Sequence, residues 1–402
     1  MASAAAWLGR FRASVWPYAA LSATYFAHIG FFNPFLPLWL HSLGYSLALV
    51  SLMVSMQSIT RLYAPYAWGW LADRYGHAER LMRIAATGAA LVSLLLWVRW
   101  PSGVMLVVLL LLFTQTSAMM PMSETALVKR LSDGGVFDAR RYGRVRLWGS
   151  VGFLVTVSLA GVMFERQGMD TFVQWTTGML VLVVLACWAI PSAGAQKTPA
   201  TSGGLAGILG VQTLRWLYAQ VFFHVLAHAA MYVFFSLYLD QLGYSKSTIG
   251  ALWAASVVAE IIWFFTQSRW MHGARLGTWL VVVSVVGALR FTALAAWAEV
   301  SWVLWLSQLL HAFTFAAHHT LCMAFITREC PPQWRGRAQA LYTSVGYGLA
   351  ALIAGLGGGV LADALGLRAV FVVAALSATA AVFMAWQVAR HDRSTEPGPQ
   401  PQ

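Results

Sequence analysis

Twelve long apolar runs limit what this chain can become. They lie near 16 to 40, 46 to 70, 81 to 99, 103 to 129, 143 to 164, 171 to 191, 214 to 240, 247 to 268, 276 to 297, 301 to 327, 336 to 362 and 368 to 390. About 20 helical residues cross the roughly 30 Å of hydrocarbon in a bilayer. None of the runs alternates with period two, and lipid offers no partners to an open sheet edge, so each must be a helix. With 59% hydrophobic and 10% charged residues in 402, the chain lacks the material for a polar exterior. The expected fold class is an all-α polytopic membrane protein, with the lipid bilayer as its first partner.

The net charge of +12 reports topology rather than nucleic-acid binding, and no nucleic-acid partner is expected. With the N-terminus inside, the cytoplasmic connections carry Arg74, Arg80, Arg83, Lys129, Arg130, Arg140, Arg141, Arg144, Lys197, Arg215, Arg269, Arg275, Arg328, Arg335 and Arg337. The outer loops carry Arg99, Arg166, Lys246 and Arg368. This asymmetry predicts both termini in the cytoplasm. Arg10 and Arg12 precede the first run, which reads as a retained span rather than a cleaved leader. Cys187, Cys322 and Cys330 have neither disulfide nor zinc-ligand spacing and read as small apolar packers.

The polar stretch after Ser192, with Lys197, Pro199, Ser202, Gly203 and Gly204, reads as a linker. The expected organisation is a six-helix bundle over 1–191, a cytoplasmic linker over 192–213, a second six-helix bundle over 214–390 and a disordered tail over 391–402. The halves repeat each other. Leu38-Trp39-Leu40-His41-Ser42-Leu43-Gly44-Tyr45-Ser46 returns 199 positions later as Leu237-Tyr238-Leu239-Asp240-Gln241-Leu242-Gly243-Tyr244-Ser245, and Ser150-Val151-Gly152-Phe153 is echoed by Ser344-Val345-Gly346-Tyr347. Two parallel halves of this kind predict a ligand site near the midplane where they meet, opened to each side in turn.

A charge inside a span costs about 2.5 to 3.5 kcal/mol on insertion scales, so it marks a candidate site. Glu124 lies within the fourth run and Arg146 at the mouth of the fifth, which suggests mutual partners lining a polar cavity; the alternative is an Arg146 that caps its helix among Arg140, Arg141 and Arg144. Glu124 is the first candidate for proton coupling, because desolvation and an approaching arginine act on a carboxylate in opposite senses. Glu260 is the second. It lies 199 positions after Arg61 and admits both a transport role and a structural ion pair. His224 and His228, spaced i, i+4, read as hydrogen-bonded cavity histidines; no third metal ligand accompanies them, and no metal is expected. Helical spacing puts His311 and His318 on one face and His319 about 100° away. His28 and Asp240 read as hydrogen-bond partners at helix ends or between helices.

The connection Gly69-Trp70-Leu71-Ala72-Asp73-Arg74-Tyr75-Gly76 has the G-x-x-x-D-R-x-G form and the position of the signature loop of the major facilitator superfamily, which the chain resembles. That resemblance implies twelve helices in two bundles, and it makes Gly69, Asp73, Arg74 and Gly76 a gating loop. Asn33-Pro34-Phe35-Leu36-Pro37-Leu38-Trp39-Leu40-His41, Pro121-Met122-Ser123-Glu124 and Gly143-Arg144-Val145-Arg146 are similar to the lactose permease group. Tyr142 to Ser150 is closer to the phenylpropionate permease group. Carried over residue by residue, the lactose permease likeness implies a binding pair at Glu124 and Arg146, an arginine at Arg290 and a coupling histidine at His311. The usual proton-carrying glutamate falls at Thr314, the stacking indole at Phe153 and a sugar-binding acid at Trp253, with His228 in the region of the seventh-helix aspartate.

These departures disfavour sugar. The expected substrate is an aromatic or other organic carboxylate, 3-phenylpropionate-like, held by Arg146 or Arg290 with Phe153, Trp148 and His228 around it. The expected function is proton-coupled symport by alternating access, driven by the proton gradient without a cofactor, in a monomer of the bacterial inner membrane. Efflux of hydrophobic compounds and proton symport of a sugar or nucleoside remain as alternatives. An enzyme is not expected, since no G-x-S-x-G, H-E-x-x-H or paired catalytic acids occur in a plausible setting.

Overall fold

The computed structural model describes residues 15–75, 78–117, 119–131, 139–191, 205–270, 275–331 and 334–392, and every regular element among them is helical. Eleven helices among the described residues are long and apolar enough to cross a membrane. The helix α1 (Trp16–Ser42) is not in that set although it runs for 27 residues, because Pro17, Tyr18, Tyr25, His28, Asn33, Pro34 and Pro37 dilute its hydropathy. The linker from 192 to 204 and the tail from 393 lie outside the described residues.

The chain forms two compact units. The first comprises α1, α2 (Leu47–Tyr75) from Ile59 onward, α3 (Ala78–Ser93), α4 (Ser102–Thr116), α5 (Met119–Leu131), α6 (Ala139–Gln167) and α7 (Phe172–Ala189). Here α1 and α6 touch through glycines. A Cβ on Gly152 would collide with the Ala23 carbonyl, and one on Gly30 would lie 2.6 Å from Thr156 Oγ1 and 2.7 Å from the Phe153 carbonyl. Bare backbone lets the two helices approach, as small residues do in lipid, where packing rather than water drives association. Thr156 joins them by donating to the Ala27 carbonyl at 2.7 Å. Toward the C-terminal ends of α1 and α6 and the start of α7, Phe31, Phe32, Phe35, Trp39, Phe164 and Phe172 form an aromatic core with mostly tilted and edge-to-face contacts.

The second unit comprises α8 (Leu205–Gly210), α9 (Gln212–Gln241), α10 (Lys246–Trp270), α11 (Leu276–Trp297), α12 (Ser301–Leu309), α13 (His318–Glu329), α14 (Arg335–Thr343), α15 (Ala351–Leu365) and α16 (Leu367–Arg390). Residues Ser46–Ser58, the start of α2, also pack in this unit. Asp363 accepts a hydrogen bond from the Ala48 N–H at 3.1 Å, placing a carboxylate at the first turn of α2, where the free N–H groups favour it. Two stretches, Ala312–Ala317 and Ser344–Ala350, are π-helical. Such wide turns shift the register of the residues that follow them.

The internal repeat extends to single hydrogen bonds. Gly44 and Gly243 turn the chain at φ +92° and +83°. The Tyr45 hydroxyl donates to the Trp100 carbonyl, 55 residues on, and the Tyr244 hydroxyl donates to the Glu299 carbonyl, again 55 residues on. Ser46 and Ser245 then accept from the N–H three residues later, each capping the helix that follows.

Replacing Gly152 by Val drives two methyl groups into the Ala23 backbone. It should cost at least the 1 to 3 kcal/mol typical of overpacking and lower the unfolding midpoint of the detergent-purified protein by several degrees. Gly178→Ala, on an α7 face with nothing within 4 Å, should leave the midpoint in place.

Candidate functional site

Each unit holds one of the two arginines that the sequence picks out as candidate anion sites, and the two are built differently. In the first, Arg146 Nη1 donates to Glu124 Oε1, so the acid on α5 and the base on α6 form an ion pair, with side chains 35% and 44% exposed. The Phe26 ring of α1 lies 5.8 Å from the Arg146 guanidinium. Phe153, seven residues beyond Arg146, shares its face of α6, two turns further on. Trp148 is turned about 200° from Arg146, is exposed, and packs against Trp16 at 5.8 Å between ring centroids. The aromatic ring beside Arg146 is thus Phe26, which no sequence pattern singled out in an apolar run.

In the second unit Arg290, on α11, is 1% exposed. Its Nη1 donates to Thr314 Oγ1 at 2.8 Å and faces His311 Nδ1 at 3.2 Å and His228 Nε2 at 3.4 Å. Nη2 reaches Met231 Sδ at 2.9 Å, and Nε donates to Ser307 Oγ at 3.3 Å. All five partners are neutral acceptors. No carboxylate among the described residues pairs with it. Burying a charge without a counter-charge costs several kcal/mol, which hydrogen bonds only partly offset.

The histidines around it have definite tautomers. His228 Nδ1 lies 3.0 Å from the His224 carbonyl, which can only accept, so Nδ1 carries the proton and Nε2 turns its lone pair to Arg290. His224 likewise donates from Nε2 to the Thr314 carbonyl at 2.7 Å. The seam continues along α9: His224 stacks on His318 at 3.8 Å, His318 Nε2 meets Gln220 Oε1 at 2.9 Å, and Gln220 Nε2 donates to Ser284 Oγ at 3.0 Å. His319, as its spacing predicts, turns elsewhere and meets the Tyr342 hydroxyl at 3.2 Å. The π-helical segment Ala312–Ala317 carries Thr314 and separates His311, which serves Arg290, from His318, which serves Gln220.

Sequence reasoning reached His228, His311 and Arg290 but missed Ser307, Met231, Gln220 and Gln308. Gln308 is fully buried one turn before His311, and neither amide atom finds a partner among the described residues. Buried glutamine in an apolar run was the available signal. Trp253, buried on α10, donates to Ser236 Oγ at 3.1 Å and stacks with Tyr232. Glu260 is half-buried on the same helix. His28 corrects the expectation of a hydrogen-bonded histidine: it is 2% exposed against Phe31 and Phe32, and its Nδ1 has no partner among the described residues. Asp240 pairs with Lys246 at 3.6 Å. In the gating loop, Gly69 and Asp73 fall within α2, and Arg74 lies over Trp70 at 5.2 Å. Gly76 lies outside the described residues. No group of three or more potential metal ligands occurs among the described residues.

The multi-pass helices and internal repeat, taken with a family match and transporter relatives along almost the whole chain, make this a membrane transporter of the major facilitator type rather than an enzyme. The chain belongs to the MFS_1 like family, matching it over residues 15–373. It is 28% identical over 368 residues to the probable 3-phenylpropionic acid transporter of Escherichia coli (strain K12), covering 90% of this chain and 94% of that one. It is 24% identical to the maltose permease of Geobacillus stearothermophilus over 86% of this chain and 87% of that one. In fold it is similar to the nucleoside transporter NupG, with a TM-score of 0.77 at 17% identity over 94% of this chain and 98% of that one. A bacterial homologue of the human lysosomal transporter Spinster follows at 0.69 and 15%, covering 97% and 99%.

Thr314→Val keeps the shape at Arg290 and removes its shortest oxygen contact. Hydrogen bonds to charged groups contribute about 1.5 to 3 kcal/mol, so a loss of that order is expected in denaturant unfolding of the purified protein.

Proposed function

We propose that this protein is a proton-coupled symporter of a small organic carboxylate with an aromatic body, moved by alternating access across the bacterial inner membrane, with both termini in the cytoplasm. One observation carries the reading. Arg290 is a buried guanidinium held by neutral acceptors alone, and a carboxylate is the ligand that both matches its planar fork and supplies the missing charge. Arg146 is less suited to that role because Glu124 already occupies it.

The surroundings of Arg290 suit an aromatic acid. Phe291 lies 5.6 Å from the guanidinium and edge-on to His228, and Phe315 stacks on His311 at 5.2 Å. Rings of this kind bury an apolar body while the fork takes the carboxylate. The amide of Gln308, without a partner among the described residues, offers a further donor and acceptor. The 3-phenylpropionic acid transporter among the relatives agrees in substrate class with this reading. On this reading Glu124 and Arg146 form a charge pair that makes and breaks as the transport cycle proceeds.

In proteoliposomes with an alkaline interior, 3-phenylpropionate should accumulate and a protonophore should collapse the gradient. The uncharged 3-phenylpropionamide should not accumulate. Arg290→Lys, which keeps the charge and loses the fork, should raise KM by roughly tenfold to a hundredfold, the equivalent of a charge-assisted hydrogen bond or two. Equal uptake of the amide, or of maltose, would overturn the carboxylate reading. Glu124→Gln should impair accumulation against a gradient while leaving the protein folded; undiminished accumulation removes that residue from coupling.

A further inference from the structure

The proposed function leaves open where the proton sits relative to the anion. His228 and His311 both direct a lone pair at one guanidinium nitrogen, at 3.4 and 3.2 Å. A proton on either lone pair would set two N–H groups head to head beside a buried positive charge, so in the empty site these rings hold Arg290 only as neutral bases. A bound carboxylate changes that balance. It cancels the guanidinium charge, takes over its N–H donors, and leaves the two imidazole nitrogens facing an anion instead of a cation.

We propose that the carboxylate and the co-transported proton share one site, the anion on Arg290 and the proton on the lone pair of His228 Nε2 or His311 Nδ1 released when the anion displaces them. This rests on the carboxylate reading and extends it. The proton comes from water on the side to which the site is open and adds to a ring nitrogen. The Arg290 N–H contacts to His228 and His311 give way to the carboxylate, and the new imidazolium N–H donates to the anion. Charge is conserved: one anion and one cation enter together. By linkage, each then tightens the binding of the other, because the coupling free energy is reciprocal.

The groups facing the pair are all accounted for among the described residues. From α9 come His224, which stacks on His228 at 4.6 Å, and Tyr232, one helical turn beyond His228. From α11 comes Arg290 itself, and His318 on α13 stacks on the far side of His224. His224 and His318 commit Nε2 to the Thr314 carbonyl and to Gln220, and neither contacts the guanidinium, so they hold the frame. His228 is fixed for its task, since its Nδ1–H is anchored to the His224 carbonyl and only Nε2 is open to a proton.

The test uses the full chain in nanodiscs and titration calorimetry with 3-phenylpropionate in two buffers of different ionisation heat, across pH 5.5 to 8. The wild-type protein should take up about one proton per anion bound, with affinity tightening up to about tenfold per pH unit lowered, the slope that one linked proton sets. His228→Gln and His311→Gln each keep an oxygen acceptor for Arg290, and folding is checked by thermal unfolding. The single variants should flatten the pH dependence, and the double variant should abolish proton uptake. Wild-type binding without proton uptake, or undiminished uptake by the folded double variant, overturns the shared site and leaves the carboxylate reading standing. Absence of any arylpropionate binding to folded wild-type protein overturns the carboxylate reading, and the shared site with it.

Discussion

An arginine buried with no counter-charge among the described residues organises the second unit. Arg290 sits on a helix whose other residues are almost all apolar, and three elements and a residue between two of them converge on it: α9 with His228 and Met231, α12 with Ser307, His311 just beyond, and the π-helical turn with Thr314. Each contact is weak beside an ion pair, and together they hold the guanidinium in one orientation. A carboxylate from the chain would hold it more strongly and would leave nothing for a ligand. The same logic separates the two arginines, for Arg146 has its acid within reach and Arg290 does not.

The hydrogen bonds that repeat between the halves show which parts of the frame are constrained. The Gly44 and Gly243 turns, the Tyr45 and Tyr244 hydroxyls and the Ser46 and Ser245 caps all satisfy backbone groups at helix ends, where lipid and headgroups offer unreliable partners. The sites diverge where the ends agree. Position 124 is an acid paired with Arg146, and the second unit instead places its charge on α11 with histidines as neighbours. A frame kept by backbone chemistry leaves the interior free to specialise, as transporter folds built from repeats require.

Glu124 was legible as a charge within an apolar run and Arg146 as a charge at the mouth of the next, and the contact they make follows from neighbouring helices. His224, His228 and His311 were legible as polar residues in spans, though their tautomers were not. That of His224 depends on the Thr314 carbonyl, which only the packed helices bring to the ring, whereas His228 bonds the His224 carbonyl one turn back on its own helix. Trp148 shows the limit of proximity along the chain: two residues from Arg146, it faces away and meets Trp16. Met231 and Ser307 carry no sequence signature of function, because a thioether and a hydroxyl occur in many spans as simple packing, and only the amide of Gln308 offered a signal. The π-helical segments, which set where Thr314 and Gly346 point, have no sequence signal at all.

Hydrophobic runs, basic-residue asymmetry and the 199-residue echo were enough to determine an all-helical membrane protein of repeated halves, because lipid permits so few ways to satisfy a backbone. The tertiary structure alone decided that Arg290 is uncompensated, that the start of α2 packs in the second unit, and that His228 turns its lone pair inward. These depend on the distance and orientation of groups 20 to more than 300 residues apart, set by helix contacts and wide turns whose geometry no local pattern encodes.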